Sequence, residues 1–339
     1  VNARPEKILA LQFKYFGDAV LLTPALRALR EHFPQAEIHL LVPAEMTPLF
    51  QHLPWLTRVW ALPRRRGRAS LRETWPLISA LRRERFDRSV DFAGNDRGAI
   101  LSRLIGAKNR LGWDERGGFF GRRFFYTDRV VPETGWQYEA ARMAKLLSGW
   151  QVRPPASLAL EIHTDPKLAV SAAQFLPEPA VICHMAASQP SRQWPVQRWA
   201  EFYQLTAAAG LPVAFTTAAG WREQALAAEL KQIIPAARLL PLMPDLAMFL
   251  AVLQRAKFFI SGDTGPLHFA AGLGVPTLSL FGPSRPERYA PVGEKHQFLR
   301  VQQCPCGPGE SVCKNNQFCL NTITPEQVFA ALGKTLPGL

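Results

Sequence analysis

The residues best equipped for chemistry sit in short polar breaks between apolar runs. The most informative break is Ser261-Gly262-Asp263, within ISGDTGPLHFAAGLGVPTLSLF at residues 260–281. It separates the strand-like Phe258-Phe259-Ile260 from a small-residue helix expected over Thr264 to Ala271. Gly274 and Pro276 stop that helix ahead of a second apolar run, Thr277 to Phe281. A helix opening on such a turn offers backbone N–H groups, here those of Thr264 and Gly265, and the positive end of its dipole. Both suit an anion such as a diphosphate. Asp263 and His268 would flank that anion. An Asp at this place can also be a plain helix cap. Capping does not account for a histidine so early in a helix of small and apolar residues.

The other breaks hold fewer reactive groups. Gly17-Asp18 follows the apolar run Lys7 to Phe13, and Asp18 is the only carboxylate there. At the start of a helix it could take the proton of an attacking hydroxyl or serve as an N-cap; both roles are open. Met185 to Arg192 follows a later strand and carries Ser188 and Arg192. The Arg could hold a phosphate by charge-assisted hydrogen bonds, or simply lie on the surface. Thr216 to Gly220 leads into Glu223, which could accept hydrogen bonds from a ribose or stand solvated on its helix. Met243-Pro244-Asp245 precedes another helix. No Asp-x-Asp metal motif occurs in these loops.

Elements alternate in a way that would place all these loops at strand ends. Strands are expected at Lys7–Phe13, Glu37–Val42, Thr57–Leu62 and Arg88–Asp91, with helices between them, including Trp75–Arg85. The apolar positions Leu22, Ala25, Leu26, Leu29 and Phe33 follow the helical period, with Pro24 early enough to be tolerated. Periodicity weakens over Gly112–Pro132, a helix is expected at Trp136–Leu147, and Pro154-Pro155 reads as a linker. A second cycle runs from Ala180 to Phe281, and Pro325–Leu336 reads as a terminal helix. This is an α/β pattern of parallel sheets covered on both faces, with ligands at the carboxyl ends of strands. The expected domains are residues 1–155 and 156–324, facing one another across a cleft.

Composition sets the class. The chain has 339 residues, 47% of them hydrophobic, which suits globular packing in two domains. No apolar run reaches the ~18 residues that span a bilayer, and no signal peptide is evident before the first strand; a cytoplasmic protein is expected. The net charge is +13, and between Ala61 and Arg129 there are 17 Lys and Arg against 8 Asp and Glu. Arg64-Arg65-Arg66 and Arg122-Arg123 are the densest parts. Such a patch could attract a phosphorylated sugar, anionic lipid or nucleic acid, and charge alone does not choose.

Read through its loops, the whole chain resembles the ADP-heptose–lipopolysaccharide heptosyltransferases of glycosyltransferase family 9. The resemblance rests on FGDAVLLTPALRALREHFPQAEIHLLV, SRQWPVQRWAEF and SGDTGPLHFAAGLGVPTLSLFGPS. The last is the most specific, matching D-[TS]-G-x-x-H followed by A-x-x-x-G-x-P and L-F-G. It implies a GT-B architecture of two Rossmann-like domains, with the terminal helix, residues 325–339, returning to the first. It also implies inverting transfer of heptose from ADP-heptose to the lipopolysaccharide inner core. By position, Asp18 matches the base. Ser188, Arg192, Glu223, Met243, Asp263, Thr264, Gly265 and His268 match the donor site. Ala187 stands where some members carry a hydroxyl. Arg64, Arg65, Arg66, Arg122 and Arg123 are the candidate acceptor contacts. The resemblance further implies a monomer acting peripherally at the cytoplasmic face of the inner membrane, with no required cofactor and no nucleic-acid partner.

Cys304, Cys306, Cys313 and Cys319 follow C-x-C-x6-C-x5-C, a spacing that could hold a structural zinc or form a disulfide clip. Two other functions compete with glycosyl transfer. A sugar-nucleotide epimerase could use the same two-domain plan. A nucleotide or nucleic-acid binder would stack bases on Trp113, Phe119, Phe120, Phe124 and Phe125 among the basic residues.

Overall fold

Short strands of two to seven residues, most of them apolar, fold into two all-parallel six-stranded sheets. The computed structural model describes residues 4–63, 71–115, 118–119, 121–301 and 319–335. The chain divides into two units, Val1–Leu158 and Ala159–Leu339.

In the first unit the strands are β1 (Lys7–Leu11), β2 (Glu37–Pro43), β3 (Arg58–Leu62), β4 (Arg88–Asp91), β5 (Asn109–Trp113) and β6 (Asp128–Val130). Between and after them run α1 (Phe16–Leu21), α2 (Thr23–His32), α3 (Leu71–Glu84), α4 (Asp96–Ile105) and α5 (Glu139–Leu146). The spatial order is β3-β2-β1-β4-β5-β6. Chain direction across the sheet therefore reverses between β1 and β4, which opens a crevice at their carboxyl ends. Pro24 falls in the first turn of α2, where its missing N–H costs nothing.

The second unit repeats the plan. Its strands are β7 (Val181–His184), β8 (Val213–Thr216), β9 (Arg238–Leu239), β10 (Phe258–Gly262), β11 (Thr277–Phe281) and β12 (His296–Arg300). Its helices are α6 (Ala169–Phe175), α7 (Val196–Ala208), α8 (Trp221–Ile233), α9 (Leu246–Leu253), α10 (Gly265–Gly272), α11 (Pro286–Tyr289) and α12 (Pro325–Thr335). The order β12-β11-β10-β7-β8-β9 puts the reversal between β7 and β10. Val181, Cys183, Phe258, Ile260, Leu278 and Leu280 point to one face, where they meet Trp194, Trp199 and Phe202. Trp194 and Trp199 pack edge to face with centroids 4.7 Å apart.

The terminal helix departs from expectation. Val328, Ala331 and Leu332 of α12 are buried in this second core, and the helix packs on α7 and β11. A helix with one apolar stripe needs one greasy surface, and α7 supplies it within the same unit. The strands β5, β6 and β12 lie outside the expected set.

Candidate functional site

In the second unit the polar loops converge on the carboxyl end of the sheet. β10 ends at Gly262, and α10 begins at Gly265 with Thr264 as an extended N-cap whose side chain makes no capping hydrogen bond. By contrast, Asn95 of α4 accepts from the Gly98 amide at 2.9 Å, and Asp245 of α9 from the Met248 amide at 2.8 Å. The amino end of α10 thus lacks the side-chain acceptor that closes those other helices.

Asp263 is not the cap. Its carboxylate Oδ2 lies 3.1 Å from Arg192 Nη1, and both side chains are largely withdrawn from water. Arg192 ends a one-turn helix, Pro190–Arg192, whose position two glycines determine. A Cβ on Gly262 would lie 2.2 Å from the Arg192 carbonyl oxygen, and one on Gly282 3.2 Å from that of Ser191. Hydrogen at Gly262 lets the loop settle over the end of β10, and at Gly282 the approach is tight. Gly262→Ala should force the loop to move and cost about 1–3 kcal/mol of stability, as overpacking does. Urea unfolding measures it, and an unchanged midpoint would dismiss the close approach.

Burial governs the rest of this edge. His268 is buried, and desolvation pulls its pKa down to about 4 although Asp263 pulls the other way, so the ring is neutral near pH 7. His184, closing β7, is lowered to about 4 by the same cause. It stacks on Phe259, with centroids 6.4 Å apart. His184 Nδ1, Gln189 Oε1, Arg192 Nε, His268 Nδ1 and Ser284 Oγ are buried with no hydrogen-bond partner among the described residues. Buried polar atoms are seldom left so. Their concentration at one sheet edge marks a site that a polar ligand would complete.

The remaining donor candidates occupy neighbouring loops. Ser188 is exposed after β7, and Met243 is half-buried ahead of α9. Glu223 folds back over the start of α8, with its Oε2 2.2 Å from where a Cβ on Gly220 would stand. No side-chain hydrogen bond ties Ser188, Glu223 or Met243 to another described residue. Only Arg192 and Asp263 are joined directly; Thr264, Gly265 and His268 follow on the same turn and helix.

In the first unit Asp18 stands in the first turn of α1 after β1, half-buried, and Tyr15 rather than Asp18 occupies the N-cap. Tyr15 makes no side-chain cap hydrogen bond, and Asp18 is not the N-cap residue. Arg122 corrects a second expectation. It is buried, with Nη1 3.3 Å from the Gly94 carbonyl and 3.5 Å from Asp96 Oδ1, so it braces a loop instead of facing a partner. Arg123 is exposed and covers the Phe124 ring. Arg64, Arg65 and Arg66 lie outside the described residues, as do Cys304, Cys306 and Cys313; Cys319 is buried. Among the described residues no group of three metal-ligating side chains occurs.

One buried carboxylate was not singled out in the sequence. Asp91, closing β4, accepts from the amides of Ala93 at 3.0 Å and Gly94 at 3.3 Å, and from Tyr126 Oη at 2.6 Å. Gly98 makes room for it, since a Cβ there would strike Oδ2 at 2.1 Å. Burial raises its pKa from 3.8 to about 6. Between about pH 4 and pH 6 the folded state therefore keeps a proton that the unfolded chain has released. The stabilisation is full below about pH 4 and lost as pH rises through about 6, roughly 3 kcal/mol in all. Relative to Asp91→Asn, the unfolding free energy should fall by that order between about pH 4 and pH 7. A difference that stays level across this range would exclude the buried proton.

Comparison with known proteins agrees with this arrangement. The pattern of "Glycosyltransferase family 9 (heptosyltransferase)" matches residues 74–318. Lipopolysaccharide heptosyltransferase 2 of Escherichia coli (strain K12) is 26% identical over 310 residues, covering 87% of this chain and 88% of that protein. Among solved structures, a glycosyl transferase family 9 protein from Veillonella parvula DSM 2008 superposes with a TM-score of 0.80. It is 19% identical, with 97% of each chain covered. The E. coli ADP-heptose lps heptosyltransferase II gives a TM-score of 0.79 at 22% identity, over 97% of this chain and 98% of that one. The fold class is thus α/β of GT-B type, built from two Rossmann-like units. The match across most of its length establishes that this chain belongs to glycosyltransferase family 9, the heptosyltransferases, and is a transferase enzyme.

Proposed function

We propose that the enzyme transfers heptose from ADP-heptose to an inner-core sugar of lipopolysaccharide, with inversion at the anomeric carbon. The observation that carries this reading is the Arg192–Asp263 pair beside the uncapped start of α10, set among buried polar atoms without partners. A nucleoside diphosphate sugar has the complementary chemistry: phosphoryl oxygens to accept and sugar hydroxyls to donate. The similar E. coli proteins, whose names specify ADP-heptose and lipopolysaccharide, narrow the class to those substrates.

In the proposed reaction Asp18 accepts the proton of the acceptor hydroxyl as its oxygen attacks the anomeric carbon. The bond from that carbon to the β-phosphate oxygen breaks, and ADP leaves with the electron pair. Arg192 and the first amides of α10 stabilise the charge that develops on the diphosphate. Asp263 meets the sugar while holding Arg192 in place. Ser188, Glu223, Met243, Thr264, Gly265 and His268 line the donor site, with Glu223 on the ribose and Met243 beside the adenine.

The acceptor is anionic and membrane-held, and Arg123 with the Arg64-Arg65-Arg66 run would draw it. No described helix is long and apolar enough to cross a membrane; a peripheral position at the cytoplasmic face follows from the proposed acceptor. The test is direct. ADP should be released from ADP-heptose only when a lipopolysaccharide inner-core acceptor is present, with the product's anomeric configuration opposite to the donor's by NMR. Release of ADP without acceptor, or epimerised nucleotide sugar, would overturn the proposal. A retained configuration would remove the single-displacement step alone.

A further inference from the structure

The loop after β11 holds a hydroxyl that the donor residues above do not include. Ser284 is only 5% exposed, and its Oγ has no hydrogen-bond partner. Its place is set by Gly282, two residues earlier. A Cβ there would come within 3.2 Å of the Ser191 carbonyl oxygen, Leu320 and Cys319. Gly282, two residues before Ser284, therefore lies close against the loop that ends in Arg192. The Arg192 carbonyl in turn rests on Gly262, the residue before Asp263. Because Leu280 pairs with Gly262 across the sheet, both loops leave the carboxyl end of the sheet side by side.

A buried hydroxyl left unbonded destabilises the folded protein, and such a group persists where a ligand completes it. The chemistry of that ligand is constrained by the neighbours. Arg192, on the loop that lies against Gly282 and Gly262, carries a guanidinium group, which only donates. A group able to accept from a guanidinium and a hydroxyl together is an anion with several oxygens, as a phosphoryl group is. We infer that Ser284 Oγ donates a hydrogen bond to a phosphoryl oxygen of the nucleoside diphosphate, beside Arg192. This rests on the ADP-sugar reading of the site and adds to it a residue from the third loop of the sheet edge.

Ser284→Ala separates this role from a structural one, because the two predict opposite signs. The variant should bind ADP about tenfold or more weakly by calorimetry, with adenosine affinity unchanged. Without ligand its unfolding midpoint should equal or exceed that of the unsubstituted protein, since an unpaired buried hydroxyl has been removed. The rise in midpoint that ADP produces should shrink. Equal ADP affinity in the two proteins would overturn the assignment, as would an equal loss of adenosine affinity or a lower ligand-free midpoint with ADP binding intact. If the unsubstituted protein binds no ADP, the donor reading itself fails and takes this inference with it. If it binds ADP and Ser284→Ala binds equally well, only the role of Ser284 is lost.

Discussion

Asp18→Asn should lower turnover by about 10²–10⁴-fold, the usual worth of general-base assistance, while ADP binding stays nearly intact. The substitution keeps the size and one carbonyl oxygen of the side chain but cannot take a proton at neutral pH. Tyr15, not Asp18, stands at the N-cap position of α1, so the substitution does not change the N-cap residue. What the fold loses is a negative charge in the first turn of a short helix, typically about 0.3–1 kcal/mol. Catalytic and structural roles therefore separate on one preparation. A base gives a large fall in turnover with a small change in melting temperature, and a dipole partner gives the small change alone. Retention of more than about a tenth of the turnover would remove Asp18 from the mechanism.

Much of the fold could be read from the sequence because its strands are buried on both faces and stand as unbroken apolar runs. The runs ending at Leu11, Val42, His184 and Phe281 are of this kind. Those that escaped notice break the rule for local reasons. In β5, Gly112 interrupts the run because the Tyr126 ring packs on its α-carbon, and Arg110 turns its guanidinium to the carbonyls of Phe125 and Ala107. In β12, an edge strand bonded only to β11, the residues are half-exposed and show no apolar face.

The site was legible by residue type but not by partnership. Asp263 and Arg192 could each be named, yet their pairing depends on Gly262 and Gly282 admitting a loop from elsewhere in the chain. A pattern of charges says equally little about direction. Arg122 belongs to a basic run that suggests surface, but Asp96 and the Gly94 carbonyl turn it inward. The partner of α12 was likewise hidden, because an amphipathic stripe specifies that a helix must pack and leaves open against what. Ser284 shows the same limit: a serine after Gly-Pro reads as turn chemistry, and only its burial without a partner marks it out.

Arg192→Ala should weaken ADP binding roughly tenfold to 150-fold, the loss expected when a charge-assisted hydrogen bond to a phosphate disappears. The same change strands Asp263, whose side chain is 7% exposed. Breaking a fully buried ion pair costs about 3–5 kcal/mol. The cost here should be smaller, because the Arg192 side chain keeps 21% of its exposure and water reaches the pair. Two effects are thus superimposed in the single variant, and the double variant Arg192→Ala with Asp263→Asn parts them. Neutralising the stranded carboxylate should restore stability and leave ADP binding weak, since nothing in the pair then reaches the phosphates. Recovery of both together would mean that Arg192 only holds its loop in shape. ADP affinity unchanged in Arg192→Ala would move the diphosphate away from this edge of the sheet.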